Sequence, residues 1–225
     1  MKHAIAIDGP NGSGKSTIAR RIAKKLGFAY VDTGALYRAA GLFCLENGAD
    51  LDNIGEVEAC LTQVTLSVKY ERNRQVTYVN GKDATAEIRT QEAAQAASKV
   101  ALVPRLREMV VETARGIAMN ENVVMDGRDI GTVVLPQADL KIYLDASLET
   151  RTRRRLSELR RNNRPAVFET VLEEIKERDH RDRTREHSPL RVAQGAVVID
   201  SSDMNIEQVC AIIIGKWRKL RKNHG

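Results

Sequence analysis

Gly9-Pro10-Asn11-Gly12-Ser13-Gly14-Lys15-Ser16, with Thr17 behind it, has the spacing G-x-x-x-x-G-K-[ST]. It stands between an apolar run, Ala4 to Asp8, and a helical pattern that opens at Ser16. Three glycines let such a loop bend until successive backbone N–H groups point inward at phosphate oxygens, with the positive end of the next helix beneath them. Lys15 is then placed to reach the β and γ phosphates, and Thr17 to add a hydroxyl beside them. The Ser16 hydroxyl takes the position of a magnesium ligand, so ATP with Mg2+ is the expected cargo. A glycine-rich turn that only caps a helix is the plainer alternative, and the strand before and helix after argue against it. The loop specifies a nucleotide but not a reaction, because unrelated activities share it.

Working outward, short β-type runs recur at Ala4 to Asp8, Phe28 to Asp32, Asn122 to Asp126, Leu140 to Leu144 and Ala196 to Asp200. Helical patterns lie between and after them, at Ser16 to Leu26, Thr33 to Asn47, Val103 to Ala118, Ser147 to Arg161, Val167 to Arg185 and Ile206 to Arg221. Strands alternating with helices predict an α/β fold with a doubly wound parallel sheet. The stretch Val64 to Val79 departs from this rhythm: two alternating runs with a polar turn between them predict an antiparallel hairpin inserted into the core. The arginine-rich segment Arg151 to Arg164 is too charged for a core helix.

With 225 residues, 42% hydrophobic and 29% charged, the chain fits one compact soluble domain. The net charge of +6 suits either a nucleic-acid binder or an enzyme acting on polyanions. Aromatic-rich RNA-binding patterns and a helix-turn-helix are lacking, which disfavours the first. Cys44, Cys60 and Cys210 are too scattered for a disulfide framework or zinc site and read as reduced core thiols. His3, His180, His187 and His224 show no metal-ligand spacing. No run approaches the ~20 apolar residues of a membrane span, so a cytoplasmic protein without membrane partners is expected.

The carboxylate at the end of Val123-Val124-Met125-Asp126 is where an aspartate orients magnesium, directly or through water. Ligands bind at the C-terminal ends of parallel strands. Two more segments follow such ends: Asp32-Thr33-Gly34-Ala35-Leu36-Tyr37-Arg38 and Asp126-Gly127-Arg128-Asp129-Ile130-Gly131-Thr132. Arg178, Asp182 and Arg185 share one helical face, which by spacing alone could equally be a solvated face with ion pairs.

IDGPxGSGKS, DTGALYR, EIRTQE, DGRDIGTVV, LDAS and ERDxRDR occur in this order, and across nearly the whole chain they resemble the bacterial cytidylate kinases, members of the nucleoside monophosphate kinase group. The resemblance implies transfer of the γ-phosphoryl group of ATP to CMP or dCMP in pyrimidine nucleotide metabolism. It implies a monophosphate-binding insert at about 51–98 and a mobile lid at 151–165. Matched position by position, it implies that Arg38 and Arg128 hold the acceptor phosphate, that Ser98, Arg107 and Arg185 meet the cytosine edge, and that Asp182 and Arg178 address the ribose, with Asp32, Thr33 and Asp129 beside them. Lys15, Arg38, Arg128, Arg151, Arg154 and Arg155 are then the expected catalytic cations, the last three on one helical face. A kinase for UMP, AMP, shikimate or dephospho-coenzyme A is the nearest rival. A monomer acting on small molecules without nucleic acid is expected.

Overall fold

A computed structural model describes residues 2–71, 74–161 and 163–223. The expected hairpin turn at Arg72 and Asn73, Asn162 of the expected lid, and His224 lie outside them.

The first strand, β1 (Ala4–Asp8), is buried throughout and divides its side chains by parity. Ile5 and Ile7 face one core, shared with Ile18 and Ile22 of α1 (Lys15–Leu26) and Cys210, Ile213 and Trp217 of α8 (Ile206–Asn223). Ala4 and Ala6 face the other, with Ala114 and Ala118 of α5 (Pro104–Asn120). The remaining strands of this sheet are β2 (Ala29–Asp32), β6 (Val123–Gly127), β7 (Leu140–Asp145) and β8 (Val197–Asp200), in the order β2-β6-β1-β7-β8 and parallel throughout. The central strands β1 and β6, covered on both faces, need near-continuous apolar sequence, which is what made them readable. The sheet is the doubly wound one that the alternation predicts, and β1, whose C-terminus feeds the phosphate loop, lies at its centre.

After α2 (Thr33–Glu46) the chain leaves the sheet. It forms α3 (Ile54–Leu61), then a separate antiparallel sheet of β3 (Leu66–Glu71), β4 (Arg74–Val79) and β5 (Lys82–Asp83). A 3-10 turn (Glu87–Arg89) leads to α4 (Gln91–Val100), which packs along α2. The hairpin is where the alternation predicts it. The sequence reading missed α3 and α4, because α3 is eight residues long and α4 buries mainly alanines, Ala93, Ala96 and Ala97. Such a face carries little hydrophobic signal.

The last departure is a helical hairpin, α6 (Leu148–Arg161) and α7 (Phe168–Thr184), whose Leu156, Leu159, Val171 and Ile175 form a small core of their own. No helix among the described residues is long and apolar enough to cross a membrane. All three cysteines are buried free thiols.

The close approach of α2 and α4 depends on Gly41, where an added Cβ would lie 2.9 Å from the Ala96 carbonyl carbon. Gly41→Leu forces the helices apart, so it is expected to lower the urea-unfolding free energy by about 1–3 kcal/mol with an unchanged m-value. An unaltered urea midpoint would contradict this packing.

Candidate active site

The phosphate loop closes on glycines because its surroundings leave no room for a side chain. Gly9 has φ 151°, and an added Cβ would sit 2.0 Å from the Leu144 carbonyl oxygen of β7. Gly14, at φ 92°, begins α1 without any side-chain cap, which leaves the helix's first N–H groups for a ligand. The Lys15 ammonium is buried over this loop, donating to the Pro10 carbonyl at 2.7 Å and the Ser13 hydroxyl at 3.4 Å. Burial, and then the neighbouring Arg128, hold its pKa well below the usual lysine range, against Asp126 and Asp182.

Asp126, one residue before the end of β6, lies beside this lysine. One carboxylate oxygen accepts from the Ser16 hydroxyl at 2.8 Å and the other from the Tyr30 hydroxyl at 2.8 Å. Burial and then Asp32, its partner across the β2–β6 ladder, raise the Asp126 pKa, opposed by Lys15 and both hydroxyls. Thr33 does not point its hydroxyl into the open site, as the sequence reading expected of a substrate contact: the hydroxyl donates to the Asp126 carbonyl at 3.0 Å and is buried. Asp32 caps α2 by accepting from the Ala35 N–H at 3.0 Å, while its second oxygen holds Arg38 at 2.8 Å. A carboxylate so engaged aims the arginine.

Around the next loop, Arg128 donates to Asp182 of α7 at 2.6 Å. Arg107 is ion-paired with Asp129 in a buried contact, and its guanidinium lies 5.8 Å from the Tyr37 ring centroid. The Arg178 Nε is buried without a partner. Burial and then Arg128 lower its pKa to about 10, against Asp182. The Ser98 hydroxyl and one Arg185 Nη also lie buried without a partner. Unsatisfied buried donors of this kind mark places where a polar ligand fits.

A cavity of about 1340 Å3 joins these groups. Its lining includes Asn11 to Thr17, Asp32, Arg38, Ser98, Asp126, Arg128, Arg154, Arg155 and Arg178. Gly9, Pro10, Thr33, Arg107, Asp129, Arg151, Asp182 and Arg185 are not in the lining. The lid arginines expected to act alike do not. Arg154 and Arg155 face the cavity, and Arg154 also donates to the Ser13 carbonyl at 3.3 Å and the Ser201 carbonyl at 2.6 Å. Arg151 is buried beneath the loop, donating to the Ala146 carbonyl at 2.9 Å, the Asn11 carbonyl at 3.1 Å and Asp179 at 2.6 Å. It braces the phosphate loop against α7 through Nε and Nη1.

The cytidylate kinase family profile matches residues 5–219. The chain belongs to the cytidylate kinase family. It is 42% identical over 219 residues to the cytidylate kinase of Caldicellulosiruptor bescii, covering 97% of each chain. To the cytidylate kinase of Pelotomaculum thermopropionicum it is 47% identical over 214 residues, covering 94% of each. A crystal structure of an uncharacterized protein from Eubacterium ventriosum superposes with a TM-score of 0.54 at 14% identity, covering 96% of this chain and 98% of that one, a likeness of fold alone.

Family membership makes this chain a kinase and implies a divalent cation. The residues present fit one. The Ser16 hydroxyl and Asp126 carboxylate, 2.8 Å apart at the cavity wall, are hard oxygen donors. No group of three or more His, Cys, Asp or Glu suited to a metal occurs among the described residues. Magnesium is held by one or two protein oxygens, with water and substrate phosphates completing the shell, and needs no larger set.

Two functional residues escaped the sequence reading. Tyr30 sits in a β run that looked like core, and its hydroxyl finds Asp126 only when β2 and β6 pair. Asp8 closes β1, and its buried carboxylate accepts from the Ile130 N–H at 2.8 Å and the Gly131 N–H at 2.7 Å. These two bonds seat the π-type turn Ile130–Val134 that follows Arg128 and Asp129. Burial pushes the Asp8 pKa from its ordinary 3.8 up to about 6, against these two N–H donors. A carboxyl whose pKa is raised on folding binds more protons folded than unfolded, so its contribution to stability falls as pH rises from about 4 to about 6. The difference in urea-unfolding free energy between the native protein and Asp8→Asn should therefore shrink across that window and be flat above about pH 7. A difference that is constant from pH 4 to 7 would show that Asp8 is not raised.

Proposed function

We propose that this chain transfers the γ-phosphoryl group of ATP to CMP or dCMP, giving ADP and CDP or dCDP, in pyrimidine nucleotide metabolism. The observation that carries the reading is the single cavity joining the phosphate loop to Arg38, Arg128, Arg178 and Ser98, cations and a hydroxyl that a phosphate-loop ATPase does not need. The loop from Gly9 to Thr17 takes the donor phosphates, with Lys15 on the β and γ groups. Arg38, aimed by Asp32, and Arg128, aimed by Asp182, take the acceptor phosphate. Arg178 and Asp182 address the ribose. Ser98 and Arg185 carry unpartnered buried donors toward the base, and Arg107 joins them from behind Asp129. Residues 51–98 act as the monophosphate-binding insert and 151–165 as the lid.

The acceptor phosphate is largely dianionic near neutral pH, its second pKa being about 6, so no general base is required. The chain's work is to hold two mutually repelling phosphates in line and to neutralise charge on the transferred group. Lys15, Arg38, Arg128, Arg154 and Arg155 supply that positive charge, and Arg151 holds the loop in place. Ser16 and Asp126 would hold magnesium, directly or through water, and the ion would supply charge neutralisation for the donor phosphates. Closure of the lid, residues 151–165, over both substrates keeps water from the γ phosphate. The excess of positive charge serves polyanionic substrates, and the protein works as a cytoplasmic monomer without nucleic-acid or membrane partners.

ADP formation from ATP and magnesium, with CMP, dCMP, UMP, AMP, GMP or no acceptor at equal concentration, tests the reading. CMP and dCMP should give much the highest rates and the acceptor-free reaction only a trace; a preference for another monophosphate would refute the base-recognition residues, and no acceptor dependence the kinase role. Lys15→Ala should lower kcat by at least about 100-fold while leaving the unfolding transition in place. A native rate in that variant would remove Lys15 from the mechanism.

A further inference from the structure

β2 is an edge strand of the main sheet, and an edge residue presents an unpaired N–H and C=O to whatever lies alongside. At Asp32, the last residue of β2, both are taken by one side chain of the inserted sheet. The Gln75 Oε1 accepts from the Asp32 N–H at 2.8 Å, and its Nε2 donates to the Asp32 carbonyl at 3.1 Å and the Thr77 hydroxyl at 3.3 Å. A primary amide carries one acceptor and two donors in the arrangement of a peptide group, so Gln75 stands in for the missing neighbouring strand. The opposite amide orientation would set its NH2 against the Asp32 N–H, so the bonding pattern fixes the assignment.

The attachment is placed where the insert meets the core. Gln75 pairs across the hairpin with Tyr70, and Tyr70 packs against the cluster that contains Val31 and Met125 of the main sheet. Beyond Asp32 the connection continues to the active site. The residue whose backbone Gln75 clamps uses one carboxylate oxygen to cap α2 and the other to hold Arg38 at 2.8 Å. Arg38 lines the cavity. From β4 to the guanidinium, each link is a hydrogen bond of ordinary length.

We infer that Gln75 is a positioning residue for the acceptor phosphate: by clamping the Asp32 backbone it makes the aim of Arg38 depend on the seating of the inserted sheet. The donor side should feel this less, because Gln75 makes its hydrogen bonds to Asp32 and Thr77 rather than to the phosphate loop. This inference rests on the proposed role of Arg38 in holding a monophosphate.

The test is Gln75→Met, which keeps the length of the side chain and removes its hydrogen bonds. Steady-state kinetics with CMP and ATP should show KM for CMP raised about 5- to 20-fold, with KM for ATP and kcat each within about threefold of the native protein. Amide hydrogen exchange of the full chain without substrates should quicken about tenfold or more at Asp32 and the first turn of α2, and remain unchanged in α1. A merely structural loss would move both KM values together or speed exchange throughout. Equal changes in the two KM values, or a native KM for CMP, would overturn the inference, as would unchanged exchange at Asp32. If the native protein makes no ADP in response to CMP, the proposed function fails instead, and the exchange measurement still decides whether Gln75 holds Asp32.

Discussion

Arg128 stands near enough to Lys15 and Arg178 that it weakens the hold of both on a proton. Positive charges do not gather in a protein interior without compensation, since desolvation and mutual repulsion both oppose them. The compensation comes from aspartates at the ends of parallel strands. Asp32 holds Arg38, Asp126 stands beside Lys15, and Asp182, arriving on α7, holds Arg128. The balance is incomplete, and this is the useful property of the site. Lys15 and Arg178 still have pKa values below their usual ranges, so phosphate oxygens entering the cavity relieve an unfavourable arrangement.

The same constraint explains the backbone around the site. Four strands of the main sheet end on an aspartate, Asp8, Asp32, Asp145 and Asp200, and β6 carries Asp126 one residue before its end. Three of them also accept backbone N–H groups, Asp145 and Asp200 from the segment that follows their own strand and Asp8 from the loop after β6. Asp8 takes two from Ile130 and Gly131, Asp145 takes the Ala146 N–H, and Asp200 takes the Ser202 N–H. A short acceptor at a strand end organises the turn above the sheet, so the loops that carry Arg128 and Arg151 begin from fixed points. Arg151 then extends this order beneath the phosphate loop by joining the Asn11 carbonyl to Asp179.

How much was readable depended on how each residue acts. The phosphate loop was legible because its function resides in consecutive backbone N–H groups and in glycines that no other residue replaces. The central strands were legible because burial on both faces demands unbroken apolar runs. α3 and α4 were not, because one is short and the other presents alanines whose contribution lies in letting α2 approach at Gly41. Arg151, Arg154 and Arg155 illustrate the limit of spacing: i, i+3 and i+4 put them near one another on α6, yet Arg151 turns inward to Asp179 while the other two face the cavity. Spacing locates a side chain on a helix but not the partner that captures it.

The sequence by itself determined the nucleotide loop, the parallel α/β core, the place of the inserted hairpin and, through the order of its motifs, the family. These follow from local patterns, since glycine tolerance, strand burial and helix periodicity act over a few neighbouring residues. Only the tertiary structure decided which polar groups meet: Tyr30 with Asp126, Asp8 with the Ile130 and Gly131 N–H groups, Gln75 with the backbone of Asp32. Each pair spans between 43 and 123 positions along the chain. Hydrogen bonds act over about 3 Å, so partners that far apart in sequence become partners only when strand register and helix packing bring them together.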